Sequence, residues 1–356
     1  MANLIGTGTT TADPSIMSNT GVIIASDGTA CVVWHDGTNQ NFSYAAAPYT
    51  SWTTHVLQSG DTLTASIALD TNDNAWVISN DPVNGATYYP LTKSGSTFSR
   101  GTPTVLSVSQ INSNTNSPMC TIKDPHGRYW AICNDTTRTQ IRNFESSTPS
   151  VSSSWSSVPI ISSNGNADSQ FPCSALVGSD LVIIWKIALS GSAFEYSRLD
   201  VSASKLASRW ATPIRVTTPS GVGLDTCFRG NPSGIGLFAY PGINGNLYSM
   251  SYTLATDTWG TEEQFGTSAH DVFPSLISVG NDFYCFWRMA ITPTTHSLVY
   301  KKWSGTTQTW DALPTTLVPG DVLIDFLNTG LGNTTLGVAY AVSGTPYSLF
   351  FETVTI

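Results

Sequence analysis

Apolar and polar residues alternate along this chain in runs of four to seven, and they almost nowhere recur at the three-to-four spacing of a helix. The runs are rich in Val, Ile, Thr, Tyr and Trp, and Asp-Gly, Asn-Gly, Ser-Gly and Pro interrupt them. Successive side chains of an extended strand point to opposite faces. A period of two broken by turn residues therefore predicts short strands joined by tight turns, an all-β chain.

The pattern also repeats at long range. An aromatic or its substitute ends an apolar strand at Trp34, Ser79, Cys133, Trp185, Tyr240, Trp287 and Tyr340. A second column follows 10 to 13 residues later at Tyr44, Tyr89, Phe144, Tyr196, Tyr252, Tyr300 and Phe351. A third holds Trp52, Phe98, Trp155, Trp210, Trp259 and Trp310, and within each column successive members lie 45–57 residues apart. Residues 171–185 align with 273–287 without a gap. Each repeat reads as a small-residue strand a, an apolar strand b, a Tyr-bearing strand c and a Trp-bearing outer strand d. A sheet of this kind cannot cover both its faces alone and stacks on its neighbours, as propeller blades do.

The first two columns have seven members and the third has six, because the last repeat ends after its strand c. The expectation is a single seven-bladed β-propeller over residues 1–356, with blades at approximately 21–58, 63–107, 117–161, 170–217, 223–266, 271–318 and 322–356. Residues 2–10 are expected to supply the missing outer strand of the last blade, which also removes an exposed sheet edge.

Charge narrows the function classes. With 15 Lys and Arg against 24 Asp and Glu the net charge is −9, which excludes the basic face that nucleic acid or an anionic membrane requires. No apolar run has the length of a membrane span, and the first residues do not read as a signal peptide. Six scattered cysteines form no C-x-x-C pair and sit in apolar strands, so buried thiols are expected rather than a zinc site or a disulfide framework.

In a propeller the b–c and d–a loops share a face. His35-Asp36-Gly37, Asn80-Asp81-Pro82, Asn134-Asp135, Lys186 and Arg288 follow strand b in five of the repeats, Asp168, Asp225 and Asp271 precede strand a, and Arg229 lies just inside strand a. Such a cluster of Asp, Asn, His and cations suits a sugar, a peptide or a calcium ion, although no specific calcium motif is present and no cofactor is expected. Asp-Gly and Asn-Asp-Pro are also ordinary turn chemistry, since both side chains bond their own backbone. Trp34, Trp185 and Trp287 read as core.

The a–b turns carry Ser26-Asp27-Gly28-Thr29, Asp70 to Trp76 and Asp124 to Trp130, and the last two approach a D-x-x-[GN]-x-x-W pattern. Here the chain resembles the sialidase-like propellers with BNR or Asp-box repeats. Their box, S/T-x-D-x-G-x-x-W/F, joins strands c and d and is a structural turn, so the resemblance implies architecture and no catalytic residue. A sialidase-like site would need an arginine cluster, a Tyr nucleophile paired with Glu, and an Asp acid. Only Arg229 and Arg288 fall on the candidate face, and Glu145, Glu195, Glu262, Glu263 and Glu352 read as lying in or beyond strand c. The leading expectation is a non-catalytic recognition or structural propeller, a virion component of phage-tail or fibre type, located in the virion or the cytoplasm. Its partners would be other subunits of an assembly and cell-surface glycan. A glycan-active hydrolase or lyase and a multivalent lectin are the alternatives.

Overall fold

The computed structural model describes residues 3–8, 21–60, 64–81, 85–106, 119–134, 140–162, 169–187, 192–201, 210–223, 225–266, 271–292, 295–320, 324–331, 335–342 and 347–355. The chain is all-β, with seven antiparallel sheets in which strands a, b, c and d follow one another in order, the fold of a seven-bladed β-propeller. Among the described residues the helical content is one 3-10 turn, Ser152–Ser154. Strand b occupies Ala30–His35, Ala75–Asp81, Tyr129–Asn134, Asp180–Ile187, Ile235–Pro241, Asp282–Ala290 and Thr335–Val342 in blades 1 to 7. These strands are the most continuously apolar because both of their faces are covered. In blades 2, 5 and 6 the outer strand divides into two short segments that pair with the same strand c.

Blade 7 takes its outer strand from the other end of the chain. Asn3–Thr7 pairs antiparallel with Ser348–Thr355, with Asn3 opposite Phe351 and Thr7 opposite Ser348. The Gly8 amide extends this pairing by donating to the Tyr347 carbonyl at 2.8 Å. Side-chain alternation fixes the register: Ile5 is buried, whereas its neighbour Leu4 is 50% exposed. Gly6 has a steric role, since a Cβ there would lie 2.7 Å from the Trp34 indole.

The residues divide into two compact units, Met1–Thr136 with Arg142–Ser157 and Asp325–Ile356, and Thr137–Ile141 with Val158–Ile324. The first carries most of blades 1, 2, 3 and 7, and the second carries blades 4, 5 and 6. Within each, one rule organises the core. An aromatic of strand c packs on the ring that leads or lies in the outer strand of the next blade. In the first unit Phe351 meets Trp52 at 5.2 Å between ring centroids, Tyr44 meets Phe98 at 5.4 Å and Tyr88 meets Trp155 at 6.2 Å. In the second, Tyr196 meets Trp259 at 5.5 Å. Large rings cover the most area per residue, so they fill the gap that widens between radiating sheets. Trp34, Trp185 and Trp287 are buried in the strand b column. All six cysteines are buried thiols.

Pairing of the chain ends makes a direct prediction. Ile5→Ala should lower unfolding free energy by about 2–4 kcal/mol in urea titrations, the usual cost of truncating a buried isoleucine. Leu4→Ala, one residue away on the exposed face, should stay within about 0.5 kcal/mol of the parent.

Candidate functional site

The a–b turns are built from carboxylates turned inward. The Asp124 Oδ1 atom accepts the amides of His126 at 2.9 Å and Arg128 at 3.0 Å, while Oδ2 accepts Arg128 Nε at 2.6 Å and Trp130 Nε1 at 3.0 Å. Asp70 repeats the plan, taking the amides of Asn72 and Asn74 on Oδ1 and the Asn74 side-chain amide on Oδ2. Neighbouring a–b turns are also tied together. In the first unit Asp73 Oδ2 accepts the Ser26 amide at 3.0 Å and its hydroxyl, and Lys93 bonds Asp27 at 2.5 Å. In the second unit Asn231 Nδ2 donates to the Asn281 carbonyl at 3.1 Å, and Ser233 donates to the Asn281 side chain. The D-x-x-[GN]-x-x-W residues therefore act as turn and blade connectors.

The b–c hairpin of blade 1 is likewise closed on itself. His35 is buried, with its Nε2–H donating to the Gly60 carbonyl at 2.7 Å and its Nδ1 accepting the Gly37 amide at 3.2 Å. These partners set the tautomer. Asp36 Oδ1 accepts the amides of Thr38 and Asn39, and Oδ2 accepts the side-chain amides of Asn39 and Asn41. Burial alone would raise its pKa, but the bonds from Asn41, Asn39 and Thr38 outweigh this and hold the carboxyl below its usual value. Asn80 and Asp81 end strand b of blade 2, and Asn134 ends that of blade 3. Asp135 and Asp168 lie outside the described residues.

The second unit holds a different arrangement. Lys186 stands next to last in strand b of blade 4, Arg288 near the end of strand b of blade 6, and Asp225 just ahead of strand a of blade 5. The structure brings these three into one electrostatic cluster. Burial pushes the Asp225 carboxyl up to about 6, against the opposing pull of Arg288 and Lys186. Burial likewise lowers the Lys186 ammonium, against the pull of Asp225. Both cations act on the Asp225 carboxyl through space.

Two residues at this cluster have left-handed backbones that favour glycine, Asp225 with φ 62° and Phe273 with φ 57°. A bulge between Val272 and Ser275 in strand a of blade 6 accommodates Phe273, whose ring centroid lies 5.1 Å from the Arg288 guanidinium carbon. Blade 4 bulges at the equivalent place, between Gln170 and Cys173. Non-glycine residues in this region cost about 1–3 kcal/mol each and gather at functional sites. Arg229, on strand a of blade 5, donates to the Phe228 carbonyl at 3.0 Å. Sequence reasoning placed Asp225 on the right loop but could not single it out, because turn aspartates are written identically whether or not their bonds are satisfied.

A tyrosine–glutamate pair is also present in blade 5, where Tyr240 donates to Glu262 Oε1 at 2.7 Å and Ser220 donates to Oε2 at 2.8 Å. Tyr240 is fully buried, and burial followed by the Glu262 bond drives its phenol far above the ordinary range. An activated tyrosine nucleophile needs the opposite, so this pair secures the loop that precedes blade 5. A phenol at this column, where blades 1, 4 and 6 carry Trp, was the available sign of a buried acceptor nearby. Among the described residues no three His, Cys, Asp or Glu side chains converge as a metal site, and no helix is long and apolar enough to cross a membrane.

No family model and no curated protein matches the chain. Solved structures do match its fold. An ulvan lyase, a polysaccharide lyase bound to -[GlcA(1-4)Rha3S]-, superposes with a TM-score of 0.63 at 6% identity, covering 98% of this chain and 95% of that one. The NanB sialidase from Streptococcus pneumoniae, as a variant, gives 0.54 at 10% identity, covering 99% of this chain and 70% of that chain. A variant of Aleuria aurantia lectin in complex with alpha-methyl-L-fucoside gives 0.53 at 13% identity, covering 84% of this chain and 93% of that chain. The architecture is that of the sialidase-like propellers, and these identities speak for fold alone.

The cluster carries a prediction about stability. A carboxyl held near 6 when folded and near 3.8 when unfolded is destabilising in its charged form, so the penalty is absent below about pH 4 and complete above about pH 6. Asp225→Asn should therefore unfold later than the parent at about pH 8, by up to about 3 kcal/mol, and at the same denaturant concentration at about pH 4. Chemical denaturation at the two pH values measures both.

Proposed function

We propose that this propeller is a non-catalytic recognition module that binds a polysaccharide carrying acidic groups. Lys186 and Arg288 of the second unit meet the acidic group, Asp225 accepts an adjacent hydroxyl, and Arg229, on strand a of blade 5, is proposed as a further contact. In the first unit, taken by itself, Asn80 and Asp81 at the end of strand b of blade 2 and Asn134 at the end of that of blade 3 are proposed as contacts in their own right; the call on Asp135 falls outside the described residues. His35 and Asp36 hold the blade 1 hairpin that presents its loop.

One observation carries this reading. Lys186 near the end of strand b of blade 4 and Arg288 near the end of strand b of blade 6 both act on the Asp225 carboxyl, so two cations gather on the loops that follow strand b in the second unit. The fold neighbours supply context, since one lyase is bound to a glucuronate-containing saccharide and one lectin to a fucoside. Against catalysis stands the chemistry of the described residues. The tyrosine beside glutamate is buried and its pKa is raised, and both imidazole nitrogens of His35 are engaged. The setting we infer is a virion or surface assembly of tail or fibre type, with other subunits as its further partners. The sparse charge of the chain, 11%, suits packing in such an assembly.

A polysaccharide lyase is the second reading, favoured by the lyase likeness and by the lowered pKa of Lys186, the group that would take the proton next to a uronate carboxyl. Calorimetry with a glucuronate-bearing polysaccharide and with a neutral one separates the readings. The acidic polymer should bind at least about tenfold more tightly, and Lys186→Ala and Arg288→Ala should each lose about tenfold or more, as charge-assisted bonds do. Neither new reducing ends nor unsaturated uronate should accumulate. Turnover that Arg288→Ala or Lys186→Ala abolishes would overturn the non-catalytic reading, and equal binding of both polymers would overturn the acidic-ligand reading.

A further inference from the structure

Strand c of blade 4, Ala193–Asp200, and strand c of blade 5, Leu247–Thr253, each aim a phenol at one carboxylate. Tyr252 donates to Asp257 Oδ1 at 2.7 Å, and Tyr196 donates to the same oxygen at 3.1 Å. The other oxygen, Oδ2, lies 3.3 Å from Arg198 Nε, and Arg198 Nη1 reaches Asp180 at 3.2 Å. Both tyrosines are buried. The partly exposed Trp259 packs on both rings, with centroids 5.1 Å from Tyr252 and 5.5 Å from Tyr196. All of these residues belong to the second unit. The turn that carries Asp257 does not require them. Blade 6 makes the equivalent left-handed turn with Gln308, at φ 56° against 52° for Asp257, and places Trp303 where blade 5 has Tyr252.

We propose that Tyr252 is a redox-active tyrosine that gives up one electron to a one-electron oxidant of the carbonate-radical class, with Trp259 as the point of entry and Asp257 as the acceptor of the phenolic proton. This activity goes beyond the ligand-binding reading and does not depend on it. Its effect is that of a sink, in which oxidising equivalents that strike the rim of blade 5 end on one defined ring. Tyr252 makes the shorter of the two bonds to Asp257, which assigns the radical to it rather than to Tyr196.

One electron leaves the Trp259 indole for the oxidant, which is reduced to its anion. An electron from the Tyr252 ring refills the indole, and the Tyr252 O–H bond breaks as the proton crosses the 2.7 Å hydrogen bond to Asp257 Oδ1. The products are a neutral tyrosyl radical, a protonated Asp257, an unchanged Trp259 and the reduced oxidant. A reductant of the ascorbate class then returns the electron and loses its own proton to water, while the Asp257 proton goes back to the phenolic oxygen. Burial, followed by the Asp257 bond, raises the Tyr252 phenol far above the ordinary range, and burial with the Asp257 charge pushes Tyr196 up to about 12. Both phenols keep their protons at rest, so the proton leaves only with the electron. Asp180, Asp257 and Arg198 sum to a charge of −1 when ionised, and the coupled step takes that sum to zero, so electrostatics favours the loss of an electron here.

The full chain is oxidised with photogenerated ruthenium(III) tris-bipyridine, a one-electron oxidant, and freeze-quenched for electron paramagnetic resonance. The parent should give a neutral tyrosyl signal that Tyr252→Phe loses and Tyr196→Phe retains. Asp257→Asn keeps a side chain that tolerates the left-handed turn but cannot take the proton, and it should replace the tyrosyl signal by that of a Trp259 radical. A purely structural Asp257 would shift unfolding in urea and leave the identity of the radical unchanged. In the parent, tyrosyl formation should slow in deuterium oxide, because the O–H bond breaks in the same step, and this measurement needs no variant. A tyrosyl signal that survives in Tyr252→Phe, a tyrosyl yield in Asp257→Asn equal to that of the parent, or a parent with no solvent isotope effect would each overturn the proposal. Circular dichroism of each variant establishes that the fold is retained.

Discussion

A four-stranded sheet with apolar residues on both faces has to be covered on both. Among the described residues the helical content is one 3-10 turn, so within each unit the sheets cover one another, and the last blade must be completed before it can take part. The pairing of Asn3–Thr7 with Ser348–Thr355 does this. It adds the outer strand to blade 7, buries Ile5 beside Trp34 and Phe351, and hides the edge of the final strand c. The aromatic contacts between strand c of one blade and the outer ring of the next depend on that completed sheet, as does the order in which the loops are presented.

The two kinds of connection divide the polar chemistry between them. At the a–b turns the acidic and amide side chains are consumed by the backbone, by a buried tryptophan and by the adjacent turn, as at Asp124, Asp73 and Asn231. At the loops that follow strand b and precede strand a the outcome varies. Blade 1 closes on itself through His35 and Asp36, and blade 5 through Tyr240 and Glu262. Lys186 and Arg288 instead gather about the Asp225 carboxyl, and Phe273, with its left-handed backbone, lies over Arg288. Strain of this kind persists only where the surrounding sheets over-determine it, and here rigid strands supply each of the two cations.

Much of the fold was legible because its determinants are local and repeated. Trp34, Trp185 and Trp287 recur at one phase of an apolar strand, and Trp52, Trp155 and Trp259 mark the outer strand. The missing third-column member in the last repeat pointed to the N-terminal strand as its replacement. The split outer strands of blades 2, 5 and 6 were not legible, since a break in pairing depends on how far the sheet has twisted by its rim. Among the candidate residues, His35 and Asp36 read as well for a ligand as for a turn. Their internal bonds, to Gly60 in one case and to Asn41 in the other, appear only in the folded hairpin.

Period-two alternation, the aromatic columns and the turn residues were enough to determine all-β architecture, seven repeats and the exchange of an end strand. Each follows from side-chain direction along a strand and from the need to cover two faces. Tertiary structure alone decided which polar residues are satisfied. Asp225 lies 39 residues after Lys186 and 63 before Arg288. No local pattern encodes that distance in space, and a charge's worth depends on burial and on the other charges near it. The turn aspartates share one spelling in the sequence, and the folded chain made Asp124 a brace and Asp225 a half-buried carboxylate under the influence of two cations.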